Sequence, residues 1–173
     1  MSVFAQTDRL VLRELIATDA EFIHELFTGE EFLRNIGDRG IRSPADARDY
    51  IERGPRASYR ERGYGFYVIE LKSTGIAAGI CGLILRDGLD HADVGFALLP
   101  PHCGSGYATE AAVAVLAEAD RRGIDPVLAI AQPENGASLR VLEKIGMHRA
   151  GSVRLPGETI DLALYSTRPD GGA

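Results

Sequence analysis

The chain has 173 residues, of which 45% are hydrophobic and 25% charged, and its formal net charge is -6. This length and balance predict a single domain over 1–173 that buries a core without disulfides or a structural metal, and they exclude a disordered chain. Because contacts to phosphates need clustered Lys and Arg, the acidic balance and the scattered arginines argue against a nucleic-acid-binding protein.

Neither the cysteines nor the apolar runs indicate export or a membrane. Cys81 and Cys103 lie far apart, and their spacing is not that of a metal site. The first residues carry no cationic segment followed by an apolar stretch, and no run approaches the roughly 20 apolar residues that span a bilayer. We therefore predict a cytoplasmic protein with no metal and no membrane partner.

The first third of the chain predicts a strand followed by two helices. Alternating apolar residues predict a partly buried strand over 9–15. Thr18 and Glu21 form a capping box, which predicts the start of a helix that ends at Gly29. A second helix is predicted to begin after the capping residue Ser43, where a proline occupies the first helical position.

The middle of the chain is rich in β-branched and aromatic residues. Gly54-Pro55 should first end or kink the second helix. Three strands in an antiparallel meander are then predicted, over 64–71, 76–86 and 93–99.

The last third alternates helices and strands. An alanine-rich helix is predicted over 107–122, a short buried strand over 127–131, a helix over 138–145, strands over 147–154 and 159–167, and a flexible tail over 170–173. The order of all these elements predicts an α+β fold with a mixed sheet.

Residues 100–112, PPHCGSGYATEAA, predict a glycine loop that opens directly onto a helix. The first N–H groups of a helix lack intrahelical acceptors and lie at the positive end of its dipole, so they suit a phosphate. Gly104 and Gly106 would let the backbone curl around that phosphate, although a simple strand-to-helix turn is the alternative. No Lys-Ser or Lys-Thr and no third glycine follow, which excludes a P-loop and a dinucleotide fingerprint.

The loop resembles the acetyl-CoA pyrophosphate loop of the GNAT superfamily, Q/R-x-x-G-x-G/A, with Cys103, Gly106 and Ala108 at its first, fourth and sixth places. Cys103 departs from the Gln or Arg of this consensus, as is common in the ribosomal-protein N-terminal acetyltransferase branch. The run GYATEA at 106–111 is also very like that branch. The segment 132–147, QPENGASLRVLEKIGM, is similar to the later cofactor motif of the family, N-x-x-S-x-x-V-L-E-K-x-G-F.

This resemblance implies an acetyl-CoA-dependent N-acetyltransferase whose mixed, mostly antiparallel sheet is flanked by helices and has a splayed central strand pair. It implies a β-bulge over 96–99 whose backbone pairs with the pantetheine arm. It also implies that Asn135 binds that arm and that Ser138 lies near the sulfur or the phosphates. The implied cofactor-binding residues are Phe96, Leu98, Leu99, Cys103, Gly104, Ser105, Gly106, Tyr107, Ala108, Asn135 and Ser138.

Ser138 and Asp93 are the candidate catalytic residues. Many family members place a general-acid tyrosine at the position that Leu142 occupies here. Ser138 is the nearest replacement as a proton donor to the departing thiolate, with helix capping as the alternative role. Asp93 corresponds to an acidic position common in the branch and could orient the amine through water, or it could be a solvated carboxylate at a strand end. Cys103 has no His and Asp partners with recognisable spacing, so direct transfer in a ternary complex is predicted.

The predicted acceptor is an α-amine, on a protein or peptide N-terminus or on a small molecule. An α-amine has a pKa of about 8 and is partly neutral near pH 7.5, whereas a lysine at about 10.4 needs a stronger base. The alternative function is a non-catalytic acyl-CoA-binding regulatory module. The sequence leaves the identity of the acceptor and assembly as a homodimer open.

Overall fold

One sheet of eight strands organises residues 2–170, the part of the chain that the computed structural model describes. In chain order the strands are β1 (Val3–Gln6), β2 (Leu10–Glu14), β3 (Phe66–Leu71), β4 (Ala77–Ile84), β5 (Asp93–Leu98), β6 (Leu128–Ala131), β7 (His148–Val153) and β8 (Leu162–Ser166). The helices are α1 (Ala20–Thr28), α2 (Glu30–Asn35), α3 (Pro44–Arg53), α4 (Pro55–Arg62), α5 (Tyr107–Arg121) and α6 (Gly136–Lys144).

The sheet is antiparallel except at its centre. Its strand order is β1-β2-β3-β4-β5-β6-β8-β7, and the parallel neighbours are β5 and β6. These two strands pair only at Asp93 and Leu128, after which they separate. The predicted α+β fold, with a mostly antiparallel sheet and a splayed central strand pair, is thus confirmed.

Two apolar clusters cover the two faces of the sheet. On β3 and β4, Tyr67 and Cys81 belong to the cluster that contains the alanine face of α5, while Val68 and Ile80 belong to the cluster that contains α1 and α3. Successive residues of a strand point to opposite faces, so these continuous apolar runs are explained by burial on both sides.

The predicted start of the first helix is wrong. A 3-10 turn over Ala17–Asp19 precedes α1, whose N-cap is Asp19, and no side-chain capping bond is formed there. The Asp19 carboxylate instead accepts from the N–H of Ile16 and from both Nη atoms of Arg13, each at 2.9 Å. Arg13 is buried and also donates to Glu70 at 2.7 Å. Burial of this ion pair sets the start of α1 in place of the local capping pattern.

The other local signals for helix ends are confirmed. Ser43 caps α3 by accepting from the N–H of Asp46 at 3.2 Å, and α1 ends at Gly29. The helix α3 ends before Gly54, as predicted, but a new helix, α4, begins at once with Pro55 in its first position. The strand β1 and the short helix α2 were not predicted, because segments of four and six residues are too short to show a period.

The expected bulge over 96–99 is absent. The pairing of β4 with β5 runs without a shift from Gly79 opposite Leu98 to Ile84 opposite Asp93. The irregularity lies one strand away, where Ala78 of β4 is an extra residue opposite β3. The central splay therefore arises from the early end of the β5–β6 pairing.

No helix within residues 2–170 is long and apolar enough to cross a membrane. Of the predicted flexible tail, residues 171–173 lie outside the described residues.

Candidate functional site

A cavity of about 490 Å³ opens where β5 and β6 separate. It is lined by β5, β6, the glycine loop before α5 and the first turns of α6. The structure brings together on its wall these predicted cofactor residues: Phe96, Leu98, Cys103, Gly104, Ala108, Asn135 and Ser138. Leu99, Ser105, Gly106 and Tyr107 lie outside this lining.

The edge of β5 that faces the cavity has free backbone groups. Neighbouring residues in a strand direct their peptide groups to opposite sides. The N–H of Leu99 donates to the carbonyl of Ala78 at 2.9 Å, on the β4 side. The peptide groups of Phe96 and Leu98 therefore face β6, which has already diverged, and an extended amide chain could pair with them.

The glycine loop has the geometry of an anion site. Gly104 and Gly106 have φ angles of 77° and 80°, which residues with a Cβ rarely adopt. The first intrahelical bond of α5 runs from the N–H of Glu110 to the carbonyl of Gly106 at 3.0 Å. Among the described residues, no backbone acceptor is bonded to the N–H groups of Gly104, Ser105 or Gly106. These groups and the first N–H groups of α5 suit phosphate oxygens.

Asn135 and Ser138 share the start of α6. The side-chain oxygen of Asn135 accepts from the N–H of Ser138 at 3.2 Å, so Asn135 is the N-cap of this helix. Ser138 lies three residues into α6, and its hydroxyl forms no side-chain hydrogen bond to any other residue of 2–170. The capping role that the sequence left open thus falls to Asn135, and the Ser138 hydroxyl is available to the cavity.

Asp93 lies on the cavity wall and is fully buried, with 0% exposure. Its Oδ1 accepts from Nε of Arg86 at 2.8 Å, while its Oδ2 has no hydrogen-bond partner within residues 2–170. Burial raises the pKa of this carboxyl, and the Arg86 guanidinium offsets only part of that effect. The alternative of a solvated strand-end carboxylate is therefore wrong.

Cys103 is a poor nucleophile in this setting. Its thiol donates weakly to the carbonyl of Leu99 at 3.6 Å. Partial burial raises the pKa of the thiol, and the Glu31 carboxylate raises it further. The protonated thiol predominates near neutral pH, and nucleophilic attack needs the thiolate.

A second set of residues lines the same cavity and is here called the second arm. It includes residues of α1, α2 and α3, of the segment between β7 and β8, and of the end of β4, where Ile84 lies opposite Asp93. The apolar residues of this arm are Phe27, Phe32, Ile36, Tyr50, Phe66, Ile84, Leu85, Leu155, Ile160 and Leu162. Its charged residues are Glu31, Arg39, Arg86 and Glu158. Asp93 adjoins both sets of residues, because it lies opposite Ile84 and on the same strand as Phe96 and Leu98.

The sequence did not reveal Arg86 and Tyr50 as site residues. Tyr50 is on α3, where it reads as one more apolar position, yet it lines the second arm. Burial raises the pKa of its hydroxyl to about 12, so the hydroxyl stays protonated. Leu142, at the position of the family's tyrosine, is buried on the cavity wall and offers no proton.

Known proteins resemble this chain over most of its length. The family described as Acetyltransferase (GNAT) domain matches residues 9–148. YkkB, an uncharacterized protein of Bacillus subtilis (strain 168), is 32% identical over 154 residues, which cover 86% of this chain and 87% of YkkB. YoaA of the same strain, an uncharacterized N-acetyltransferase, is 30% identical over 167 residues, covering 93% and 94% of the two chains.

A solved structure has the same fold. RimL, a ribosomal L7/L12 α-N-protein acetyltransferase in complex with coenzyme A, superposes with a TM-score of 0.82 over 98% of this chain and 99% of its own, at 19% identity.

In the described part of the chain no group of three or more His, Cys, Asp or Glu could hold a metal ion. The family match and the two Bacillus relatives show that the chain belongs to the GNAT family and is an acetyl-CoA-dependent N-acetyltransferase.

Proposed function

We propose that this enzyme acetylates an α-amine, on a protein or peptide N-terminus or on a small molecule, by direct transfer in a ternary complex. The observation that carries the proposal is Asp93, a buried carboxylate on the cavity wall whose Oδ2 has no hydrogen-bond partner within residues 2–170. One arm has the features of a cofactor groove, and the other is open to an acceptor.

The residues of the first arm fit acetyl-CoA, which supplies the acetyl thioester when it is bound. The N–H groups of the loop from Gly104 to Ala108 would hold the pyrophosphate, because they have no competing acceptor within residues 2–170. The free peptide groups of Phe96 and Leu98 would pair with the amides of the pantetheine arm. Asn135 lies beside the same groove.

Asp93 would prepare the amine. Its Oδ2 is buried, so it would accept the proton of the amine through a bridging water molecule. A raised carboxyl pKa lies closer to the pKa of about 8 of an α-amine, so the proton transfer is less uphill. For a lysine the gap is about 2.4 pKa units wider, or about 3.3 kcal/mol.

Ser138 would assist at the sulfur. Its hydroxyl is unbonded to other described side chains and lies in the first turn of α6, where the helix dipole favours negative charge. It could therefore donate to a departing thiolate whose parent pKa is about 8.5.

The acceptor arm and the fold support an α-amine. The wall of the second arm is mainly apolar, which suits a substrate that carries little positive charge apart from the reacting amine. RimL, which shares the fold, is named as an α-N-protein acetyltransferase. We also propose that the reaction takes place in the cytoplasm.

A competition assay tests the choice of acceptor. A peptide with a free N-terminus and no lysine is mixed with its N-blocked, lysine-containing counterpart, and each product is quantified by mass spectrometry. We expect the free N-terminal peptide to be acetylated in preference. Preferential acetylation of the lysine in the blocked peptide would contradict the proposal.

A further inference from the structure

The turn between β1 and β2 is fastened to the glycine loop through one side chain, Arg9. Its Nη1 donates to the carbonyl of Ser105 at 3.0 Å, and its Nε donates to Glu110 at 2.7 Å. Its guanidinium also lies over the ring of Tyr107, with Cζ at 4.6 Å from the ring centre. Arg9 thus contacts the loop, the first residue of α5 and the first turn of α5 together.

The partner of Arg9 is itself held in place. Oε1 of Glu110 accepts from the Thr7 hydroxyl at 2.5 Å and from the N–H of Arg9 at 3.0 Å. Although burial alone would raise the pKa of Glu110, these hydrogen bonds lower it, so the carboxylate is charged. The Thr7 hydroxyl also accepts from the N–H of Leu10 at 3.0 Å. The Glu110 carboxylate is therefore fixed, and it fixes the orientation of the Arg9 guanidinium in turn.

The contact with Ser105 matters for the conformation of the loop. When successive N–H groups of a loop point towards an anion, its carbonyl groups point away and need other donors. Gly104 and Gly106, on either side of Ser105, are the most flexible residues of the loop. A fixed donor on the Ser105 carbonyl restricts both of them at once.

We propose that Arg9 is a positioning residue for the pyrophosphate of the cofactor. It holds the loop in its binding conformation from outside the groove, and it adds a positive charge beside a loop in which Cys103 replaces the usual Gln or Arg. The inference rests on the proposed pyrophosphate site at Gly104 to Ala108. A purely structural salt bridge between the β1–β2 turn and α5 is the competing explanation, and it predicts no effect on cofactor binding.

The fold should survive the loss of Arg9. Its side chain is 49% exposed, and exposed ion pairs contribute about 1 kcal/mol or less to stability. Arg168→Ala is the matched control, since Arg168 forms a comparable exposed pair with Asp125 at 2.6 Å. That pair lies beyond β8, at the opposite end of the sheet from the glycine loop.

The experiment compares two acetyl donors and four proteins: wild type, Arg9→Ala, Arg9→Lys and Arg168→Ala. Calorimetry measures the Kd of acetyl-CoA, and kcat/KM is measured with acetyl-CoA and with S-acetyl-pantetheine, which lacks the pyrophosphate. We expect Arg9→Ala to weaken acetyl-CoA binding about tenfold or more. Its kcat/KM with S-acetyl-pantetheine should stay within about twofold of wild type, because the affected contact is absent from that donor.

Arg9→Lys should give an intermediate Kd. Lysine keeps the charge, but its single nitrogen replaces the Nε and Nη1 that bind Glu110 and Ser105, and the stacking on Tyr107 is lost. An unchanged Kd in Arg9→Ala would overturn the inference, as would equal losses with both donors or the same loss in Arg168→Ala. A wild-type chain that bound no acetyl-CoA would refute the proposed function together with this inference. Normal cofactor binding without transfer to any amine would refute only the proposed function, because the calorimetry still tests Arg9.

Discussion

Burial gives Asp93 a chemistry that its place in the sequence does not show. A carboxylate at a strand end is usually hydrated, but this one has 0% exposure and a single donor, Arg86. The ionised form is therefore costly, and the free Oδ2 favours any group that can donate a proton to it. The burial of Asp93 therefore lowers stability, and the proposed role in proton transfer would give that cost a function.

Asp93→Asn should separate these two effects. The neutral amide cannot accept a proton, so kcat/KM should fall about 100-fold or more, while the Kd of acetyl-CoA stays unchanged. The folded state raises the pKa of Asp93, so the stability that this group contributes is present below its unfolded pKa and is lost as pH rises through the folded pKa.

The thermal midpoint of Asp93→Asn, relative to wild type, should therefore improve as the pH is raised from 4 to 8. Differential scanning calorimetry across that range measures it, and Asn can still accept from Arg86 as the wild-type residue does. A variant with full activity, or one whose relative stability declined with pH, would show that Asp93 has neither role.

Cys103 tests the direct-transfer route. Because the pKa of its thiol is raised, Cys103→Ala should keep kcat within about twofold of wild type. Steady-state kinetics with both substrates varied should give intersecting lines for both proteins. Parallel lines, or an acetyl group trapped on Cys103 in the wild type, would instead establish a covalent intermediate.

At the scale of elements, the glycine loop joins a local backbone pattern to a ligand site. Gly106 and Gly123 flank α5, and both have positive φ angles, of 80° and 71°. An alanine at either position meets the same kind of backbone strain, roughly 1–2 kcal/mol. The two glycines differ in that Gly106 alone belongs to the proposed pyrophosphate loop.

Gly106→Ala and Gly123→Ala should therefore lose similar stability in urea but differ in cofactor binding. We expect the Kd of acetyl-CoA to rise at least tenfold in Gly106→Ala and to remain unchanged in Gly123→Ala. Equal affinity in the two folded variants would show that the loop does not hold the pyrophosphate.

The ends of helices could be predicted from the sequence where neighbouring residues determine them. The cap at Ser43 and the end of α1 at Gly29 follow from neighbouring residues. So does the end of the helix predicted over 138–145, where Gly146 follows in a Schellman motif and the N–H of Met147 donates to the carbonyl of Leu142 at 3.0 Å. The capping box at Thr18 failed because Arg13 recruits Asp19 through contacts that no local pattern contains.

The residues of the candidate site also fall into those that local motifs predict and those that depend on distant contacts. The two family motifs predicted the loop and the start of α6, whose residues line the cavity. Arg9 could not be found, because its partner Ser105 is 96 residues away in sequence. Tyr50 could not be found either, because the cavity that it lines is formed by segments distant in sequence. Resemblance also misplaced the bulge, because the central strands separate here by ending their pairing early.

For the whole molecule, the order of strands explains why the cavity opens beside one carboxylate. β5 lies between the antiparallel half of the sheet and the strands β6 to β8, and its pairing with β6 stops after Asp93. The glycine loop, the end of β4 and the β7–β8 segment all contribute residues to the wall of the opening that results. In the account proposed here, the fold aligns a donor groove with an acceptor arm.

The central claim is that this alignment supports acetyl transfer and is not a relic in a cofactor-binding module. The most direct measurement is the release of CoA from acetyl-CoA, followed with a thiol reagent, when a library of α-amines is added to wild type and to Asp93→Asn. We predict acceptor-dependent release by wild type at a rate at least 100-fold above that of the variant. Tight acetyl-CoA binding with no acceptor-dependent release by wild type would contradict the account and establish the non-catalytic alternative.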